Sequence, residues 1–297
     1  MRVTLGNKEY EYLIAYQHED KYRVVFNNLA EKIFSLSFEV WYESGYWREK
    51  YIQYTLFDAE RAVANVSVNI MDFITLGKQQ RYIQIGTVMT DEDSRHKNLN
   101  RFLMEKVLEE WNKQCDFIYL FANKTVLEMY PKYGFERVKE YEYFKSVKKN
   151  AESTNYEKLN MDNQSNREML HDYAKNSKVF GKLSMRENAD LVLFYAITIL
   201  KDNIYYIKSL DVIAIATFKD NQLRLWDIFS KVELELDEVI YSLVNMQIDE
   251  IVFGFTPMEC SAYKFREILS DDALFVQKDK TKLFDENKVM FPLLSHA

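Results

Sequence analysis

Hydrophobic residues switch between helical and strand spacing along the first half of the chain. The spacing predicts two helices and then three strands, at residues 22–34, 38–44, 51–57, 62–74 and 82–90. Lys78 and Gln79, which follow Gly77, are predicted to form a hairpin turn between the last two strands. A polar segment then opens an amphipathic helix, in which Leu99, Leu103 and Val107 fall on one face. A strand at 117–121, a helix at about 126–132 and a strand pair ending near Val147 complete this half.

The second half repeats the same order of elements. A polar, aperiodic segment at residues 145–155 is interpreted as a linker, and Ser165 and Glu168 form a capping-box pattern that predicts a helix start. The pattern then predicts a helix, three strands, a helix and a strand, at residues 189–200, 204–208, 212–218, 223–229, from 236 onward, and 251–255. We therefore predict a mixed α/β fold with two tandem domains, at residues 1–148 and 156–297, each a mixed twisted sheet flanked by helices.

Composition narrows the class of protein. The 297 residues carry 39 Lys and Arg against 46 Asp and Glu, a net charge of −7, which disfavours nucleic acid as a partner. No run of apolar residues is long enough to predict a membrane span, and the N-terminus does not have the pattern of a signal peptide. Two distant cysteines, Cys115 and Cys260, predict no disulfide framework and no metal site, and favour a reducing, cytoplasmic location.

The most informative stretch is the loop before the helix that begins at Leu99. A helix start offers unpaired backbone N–H groups and the positive end of the helix dipole, which suit a phosphate. Arg95, His96 and Lys97 add positive charge at the same end. The alternative interpretation is an ordinary solvated basic turn.

Two motifs in register carry a resemblance to a known family. The sequence RHKNLN at residues 95–100 matches the Q/R-x-x-G-x-G/A pyrophosphate loop of the GNAT superfamily of acyl-CoA N-acyltransferases, and it precedes a second match. That match is Asn123, then Tyr130 seven residues later, then Gly134 and Phe135. The resemblance covers about residues 22–147 and implies acetyl-CoA as co-substrate, with no metal. Both loop glycines are replaced, by Asn98 and Asn100, and asparagine is the residue that next best tolerates left-handed backbone.

The resemblance also implies roles for individual residues. Backbone groups of Val88, Met89 and Thr90 would hold the pantetheine arm and polarise the thioester carbonyl. The pyrophosphate would lie on the loop residues Arg95, His96, Lys97, Asn98, Leu99 and Asn100. Asn123 would contact the cofactor near the thioester, and Tyr130 would protonate the leaving thiolate. The alternative for Tyr130 is an ordinary core aromatic residue.

The general base is not evident from the motifs. Many family members place a Glu on the central strand, but this strand reads YIQIGTVMT and has no carboxylate. The chain ends MFPLLSHA, and in the tandem members of the family the terminal carboxylate is directed to the active site. The resemblance therefore implies the carboxylate of Ala297 as proton acceptor, with His296 as a competing base and a docked chain end without chemistry as the third possibility.

The second half lacks these motifs. Its equivalent loop, FSKVELELD, is acidic and would repel a pyrophosphate, so this half is interpreted as a degenerate GNAT-like domain. Tandem halves of this kind resemble acetyltransferases of the enhanced-intracellular-survival type, without their additional C-terminal domain. An early aromatic cluster, Phe38, Trp41, Tyr42, Tyr46 and Trp47, either packs in the core or shapes an acceptor pocket.

Three hypotheses follow. The first is an N-acetyltransferase that moves an acetyl group from acetyl-CoA to a small-molecule amine by direct attack in a ternary complex. The second is a sensor that binds an acyl-CoA or another ligand without turnover, and the third is a purely structural module. We expect no nucleic-acid or membrane partner, and a homo-oligomer is compatible with the sequence.

Overall fold

The computed structural model describes residues 1–147, 156–244 and 247–296. Its helices, in chain order, are α1 (Asp20–Phe34), α2 (Glu39–Glu43), α3 (Leu99–Trp111), α4 (Gln164–Asn176), α5 (Ala189–Ile197), α6 (Leu236–Leu243) and α7 (Lys282–Asn287). Its strands are β1 (Arg2–Leu5), β2 (Lys8–Ile14), β3 (Tyr51–Asp58), β4 (Arg61–Thr75), β5 (Lys78–Thr90), β6 (Phe117–Asn123), β7 (Phe135–Arg137), β8 (Tyr141–Ser146), β9 (Glu157–Lys158), β10 (Leu183–Arg186), β11 (Ile204–Ile207), β12 (Val212–Lys219), β13 (Gln222–Ser230), β14 (Glu250–Phe253), β15 (Lys264–Glu267) and β16 (Asp272–Gln277). None of these helices is both long and apolar enough to cross a membrane.

The strands form two mixed sheets. The first has the order β1-β2-β3-β4-β5-β6-β16-β7, with β10 added to β4, and the second has the order β15-β8-β14-β13-β12-β11-β9. Each sheet contains one parallel pair, β5 with β6 and β13 with β14, within an otherwise antiparallel arrangement of the described strands. The predicted fold class, mixed α/β with two sheets, is confirmed.

The two sheets exchange a strand. β8 pairs with β14 and β15 in the second sheet, and β16 pairs with β6 and β7 in the first. The second sheet therefore takes β8, and the first takes both β10 and β16, from the other side of the predicted boundary between residues 148 and 156. That boundary stays a prediction, because residues 148–155 lie outside the described part of the chain.

The first sheet has different side chains on its two faces. Tyr54, Leu56 and Val66 pack with α3 in one apolar cluster. The opposite face, which includes Tyr51 and Met89, packs against aromatic residues of α1, α2 and α5. Because strand side chains alternate between faces, this division follows from the pattern of each strand.

Several predicted elements need correction. Residues 126–132 are not an α-helix: they are turns followed by a short 3-10 helix at Tyr130–Tyr133, where Pro131 cannot donate the helical hydrogen bond and Gly134 ends the turn at φ 84°. The predicted strand pair ending near Val147 is also wrong, since β7 and β8 lie in different sheets.

The N-cap of α4 is Asn163, whose side chain accepts a hydrogen bond from the Ser165 N–H, so the predicted capping box at Ser165 is misplaced by two residues. Of the predicted linker, residues 145 and 146 belong to β8.

Candidate active site

The parallel strands β5 and β6 separate part-way along their length. They pair from Tyr82 and Phe117 as far as Ile85 and Leu120, and no further. The antiparallel pairing of β5 with β4 continues to Thr90. The end of β5 therefore keeps one partner strand and turns its other edge towards an opening between the two strands.

A β-bulge marks the point of separation. Asn65 pairs with Met89 and Ser67 with Gly86, so Thr87 and Val88 together oppose one residue of β4. Thr87 has φ 47°, a left-handed conformation that a β-branched residue rarely adopts. Its carbonyl accepts from Asn65 Nδ2 at 2.8 Å, and its Oγ1 lies 2.8 Å from the Tyr51 hydroxyl. These two contacts hold the strained residue in place, which redirects the end of β5.

The opening between the strands is a cleft of about 1280 Å³. Every residue that the sequence predicted to hold the cofactor lines it: Val88, Met89, Thr90, Arg95, His96, Lys97, Asn98, Leu99, Asn100 and Asn123. Tyr130 lines the same cleft. The sequence therefore selected residues from β5, the following loop, α3, β6 and the 3-10 turn that meet at one place.

The start of α3 has the backbone of an anion-binding loop. Asn98 is the N-cap with φ 60° and ψ 20°, and its side chain makes no capping hydrogen bond to the first turn. The first turn of the helix therefore lines the cleft without a side-chain cap on its N–H groups. Asn100 lies inside the first turn of α3, as the predicted helix start at Leu99 requires, and its Oδ1 is buried and unpartnered among the described residues. The second left-handed residue is His96, at φ 63°.

Positive side chains surround this helix start. Arg95 contacts Glu92 at 3.6 Å, and both are exposed, so this pair is weak. Lys97 Nζ donates to the Asp93 carbonyl at 2.6 Å, which fixes the loop. Arg101 and Lys132 also line the cleft, although the motifs did not point to them. Arg101 follows the loop closely in sequence, so its charge could have marked it as a cleft residue. Lys132 is distant in sequence, and only the fold brings it to the cleft.

Asn123 ends β6 in an Asx turn. Its Oδ1 accepts from the Thr125 N–H at 3.0 Å and from Thr125 Oγ1 at 2.6 Å. The side chain therefore holds the turn through its oxygen and presents Nδ2 as a donor. Asp272 of the exchanged strand β16 pairs with Asn123 and also lines the cleft, a contribution from the second half that the motifs did not indicate.

Tyr130 is nearly fully buried at the side of the cleft, 3% exposed. Its ring lies 5.8 Å from that of Phe275 on β16 and 6.5 Å from that of Phe135. Burial, with a smaller contribution from Tyr133, raises the pKa of Tyr130 to about 12. The phenol is therefore neutral at pH 7 and has a proton to donate.

The end of the described chain lies beside β6. The His296 ring stacks on Phe121 at 3.8 Å, and Phe121 lines the cleft. The Tyr195 hydroxyl donates to the His296 carbonyl. Burial lowers the pKa of His296 to about 4, and its Nε2 has no partner among the described residues. His296 thus stays neutral, while Ala297, the other predicted proton acceptor, lies outside the described part of the chain.

The early aromatic cluster packs in the core. Phe38, Trp41, Tyr46 and Trp47 are all buried, and Trp41 stacks on Trp47 at 5.8 Å. Tyr42 is half-buried and covers the Arg23 guanidinium at 3.7 Å. The described residues contain no group of three or more His, Cys, Asp and Glu side chains placed to hold a metal ion.

Comparisons with known proteins agree with this geometry. Residues 15–138 match the family model described as an acetyltransferase (GNAT) domain. The chain contains a GNAT domain. The resemblance drawn from the two motifs is confirmed, and the GNAT domain includes the split strands, the loop and Tyr130. A search of curated protein sequences gave no match.

Solved structures extend the likeness beyond the GNAT domain. A probable N-acyltransferase from Enterococcus faecalis is 12% identical with a TM-score of 0.52, over 92% of this chain and 74% of that one. Eis1 from Mycobacterium abscessus is 11% identical with a TM-score of 0.52, over 89% and 73%. An N-acetyltransferase from Anabaena variabilis is 13% identical with a TM-score of 0.54, over 90% and 72%. At these identities the similarity concerns the fold alone. The match to Eis1 agrees with the predicted resemblance to the enhanced-intracellular-survival type.

Proposed function

We propose that this protein is an acyl-CoA-dependent N-acyltransferase that moves an acetyl group from acetyl-CoA to a primary amine by direct attack in a ternary complex. The observation that carries the proposal is the split between β5 and β6, with the basic helix start and Tyr130 lining one cleft. A separated strand edge, a bulge and a basic, uncapped helix start suit a long ligand with a diphosphate at one end.

The roles of the residues follow from their chemistry. The N–H groups at the start of α3, with Arg95 and Lys97 beside them, bind the diphosphate. The unpaired edge of β5 beyond Ile85 bonds the amides of the pantetheine arm and donates to the thioester oxygen. Asn123 Nδ2 is a further donor near the thioester. The amine nitrogen bonds to the carbonyl carbon as the carbon–sulfur bond breaks, and the proton lost by the amine passes to water.

Tyr130 stabilises the sulfur as it leaves. With a pKa of about 12, the phenol is about 3.5 pKa units less acidic than a free thiol near 8.5, so full proton transfer costs about 5 kcal/mol against a solvated thiolate. A thiolate formed in the same buried place is also poorly solvated, which raises its own pKa and reduces the mismatch. Tyr130 therefore donates a hydrogen bond early and its proton late, and the phenolate that remains takes a proton back from water.

The test measures acetyl-CoA binding by calorimetry and CoA release from acetyl-CoA with a panel of primary amines. Tyr130→Phe should lower turnover about 100-fold or more and leave the Kd for acetyl-CoA unchanged. Tyr12→Phe is the control, because Tyr12 is also buried but lies on β2, outside the cleft. Equal turnover of Tyr130→Phe and the unchanged protein would contradict the acid role.

The alternative function is a sensor that binds acyl-CoA without turnover. It is favoured by the absence of a carboxylate on β5 and of the two loop glycines. Tight acetyl-CoA binding with no CoA release for any amine would support it. Absence of acetyl-CoA binding would leave the purely structural module. For either ligand-binding function we propose a cytoplasmic location, in keeping with the free thiols of Cys115 and Cys260.

A further inference from the structure

Neutral polar side chains cross the face of the first sheet that lies under α1 and α2. Gln53 of β3 is directly opposite Ser67 of β4, and Ser67 is directly opposite Gly86 of β5. Residues directly opposite one another in neighbouring strands point to the same face. Gly86 also lines the cleft at the split. This row therefore runs from Gln53 to the place where we put the thioester.

The amides on this face have unused hydrogen-bonding capacity. Gln53 is fully buried, yet neither its Oε1 nor its Nε2 has a partner among the described residues. Asn69, opposite Tyr51 in the next row, is 4% exposed and its Nδ2 is likewise unpartnered. Each such group costs about 1–3 kcal/mol when it is buried without a partner. Three orphan amide atoms on adjacent rows indicate that something polar binds there.

Neighbouring polar side chains on the same face do have hydrogen-bond partners, so the unpartnered amide atoms in this group are confined to Gln53 and Asn69. Thr55 Oγ1 donates to Asn65 Oδ1 at 2.6 Å, and Asn65 Nδ2 donates to Ser67 Oγ at 2.9 Å. This network holds the bulge at Thr87. Gln53 and Asn69 are therefore the members of the polar face whose amides are left for a ligand.

A small cavity adjoins the polar face. It has a volume of about 20 Å³ and is lined by Asn69, Tyr51 and Trp41, among others. That is space for about one water molecule, so an acceptor needs a side chain of the wall to move. Tyr51 connects this cavity to the cleft, because Tyr51 lines the cavity and its hydroxyl lies 2.8 Å from Oγ1 of Thr87, which lines the cleft.

The charges around the cavity are already paired. Lys50 Nζ lies 2.7 Å from Asp72 Oδ2. Asp190 Oδ1 lies 3.0 Å from His171 Nε2 and 3.6 Å from an Arg48 nitrogen. A second ammonium group on a ligand would find the carboxylates of Asp72 and Asp190 already paired, and it would be repelled by the nearby cations. A hydroxyl or carbonyl group would instead find the free amides.

We propose that Gln53 and Asn69 form the acceptor subsite, and that the acceptor is a primary amine carrying a neutral hydroxyl or carbonyl group, not a polyamine. This inference rests on the proposed function. The amine nitrogen lies over Ser67 and Gly86, facing the thioester, and the oxygen of the acceptor bonds the Gln53 and Asn69 amides. Flat rings around Tyr51, those of Phe38, Trp41 and Trp47 within 5.8 Å, form the wall of the subsite.

The experiment compares three amines of equal length: aminopropanol, butylamine and diaminopropane, which end in a hydroxyl, a methyl and an ammonium group. Binding to the protein saturated with CoA is measured by calorimetry, and KM by CoA release from acetyl-CoA. Aminopropanol should bind about tenfold more tightly than butylamine, because it restores buried hydrogen bonds, and diaminopropane should bind least tightly.

Two variants locate the effect. Gln53→Met should weaken aminopropanol binding five- to tenfold, to about the affinity of butylamine. The Kd for acetyl-CoA should stay unchanged, and the melting temperature should stay unchanged or rise. Gln277→Met is the matched control: Gln277 Oε1 accepts from the Ile118 N–H at 2.9 Å at the other side of the sheet. This control should lower the melting temperature and leave aminopropanol binding unchanged.

Equal affinity for the three amines, or equal loss of butylamine and aminopropanol binding in Gln53→Met, would overturn the proposal and show that bound water satisfies these amides. The binding measurement separates this failure from failure of the proposed function. If the protein discriminates between the amines but releases no CoA, the transferase function is rejected and the subsite is kept. If CoA release depends on Tyr130 but the three amines bind equally, the subsite is rejected and the transferase function is kept.

Discussion

The two halves of the molecule contain the same split and use it differently. β13 and β14 pair only from Gln222 and Glu250 to Leu225 and Phe253, as β5 and β6 pair over four residue pairs. In the second half the chain itself closes the opening. The Leu293 N–H donates to the Gly254 carbonyl at 2.8 Å, and the cavity beside Asp227, Phe255 and Pro292 measures about 30 Å³, whereas the cleft in the first half measures about 1280 Å³.

Charge differs as much as space. The helix α6, which follows β13 of the second split, has Glu235 as its N-cap and Asp237 and Glu238 in its first turn, whereas α3 is preceded by Arg95 and Lys97. Acidic side chains stabilise a helix start, and they also repel a phosphate. Under the proposed function, split strands alone do not make a nucleotide site: an open space and a basic helix start are both needed.

The largest effect should come from giving the first helix start the charge of the second. Arg95→Glu with Lys97→Glu replaces two attractions for a diphosphate by two repulsions, so the Kd for acetyl-CoA should rise on the order of tenfold to a hundredfold at low salt. The dependence of binding on salt should weaken as well. Calorimetry at two ionic strengths measures both.

The control for this pair carries the same change of net charge. Lys106→Glu with Lys113→Glu alters exposed residues on the distant part of α3 and just beyond its end. It should change the Kd for acetyl-CoA less than threefold, because both sites are screened from the cleft by solvent. Equal effects of the two double variants would mean that net charge, and not the helix start, governs binding.

The next effect should come from opening the closed split. A Cβ at Gly254 would lie 2.8 Å from both Cα and O of Trp226, so Gly254→Ala forces the strand apart. We expect a loss of about 2–3 kcal/mol in the free energy of unfolding, measured by denaturant titration, with an unchanged Kd for acetyl-CoA.

Gly45→Ala provides the comparison for Gly254→Ala. Gly45 has φ +78°, and no atom lies within 4 Å of the position that a Cβ would take there, so only its backbone conformation opposes alanine, at about 1 kcal/mol. If Gly254→Ala were no more destabilising than this control, the two elements would not be as tightly packed as their contacts indicate.

A smaller effect is expected at the asparagine that replaces a family glycine. Asn98 has φ 60°, so Asn98→Ala should destabilise the loop by about 1 kcal/mol and weaken acetyl-CoA binding, while Asn98→Gly should preserve both. Thermal melting and calorimetry measure the pair. Equal behaviour of the alanine and glycine variants would show that the Asn98 side chain, and not its backbone conformation, matters.

The parts of this comparison that the sequence predicted are the local ones. The helix from Leu99 to Trp111 and the central strands were predicted because their periodicity is strong, and the loop and Tyr130 because their spacing matches a motif. The strand exchange was not predicted, since β8 and β16 are short and nothing local specifies a partner sheet. The Thr87 bulge and the orphan amide of Gln53 depend on pairing across three strands, which no local pattern shows.

The smallest effect concerns a carboxyl group that holds the segment closing the second split. Glu140 Oε1 accepts from the Phe291 N–H at 2.8 Å, and burial raises the pKa of Glu140 to about 8. The folded protein therefore binds a proton that the unfolded chain has lost above its ordinary pKa, and this contribution to stability decreases as the pH rises from about 4.5 to 8.

Glu140→Gln keeps the acceptor and removes the titration, so its melting temperature should equal that of the unchanged protein at about pH 4.5 and exceed it by a growing margin towards pH 8. His296 titrates in the opposite direction below its ordinary pKa, but it does so in both proteins and cancels in their difference. A margin that stays constant with pH would show that Glu140 is ionised in the folded state.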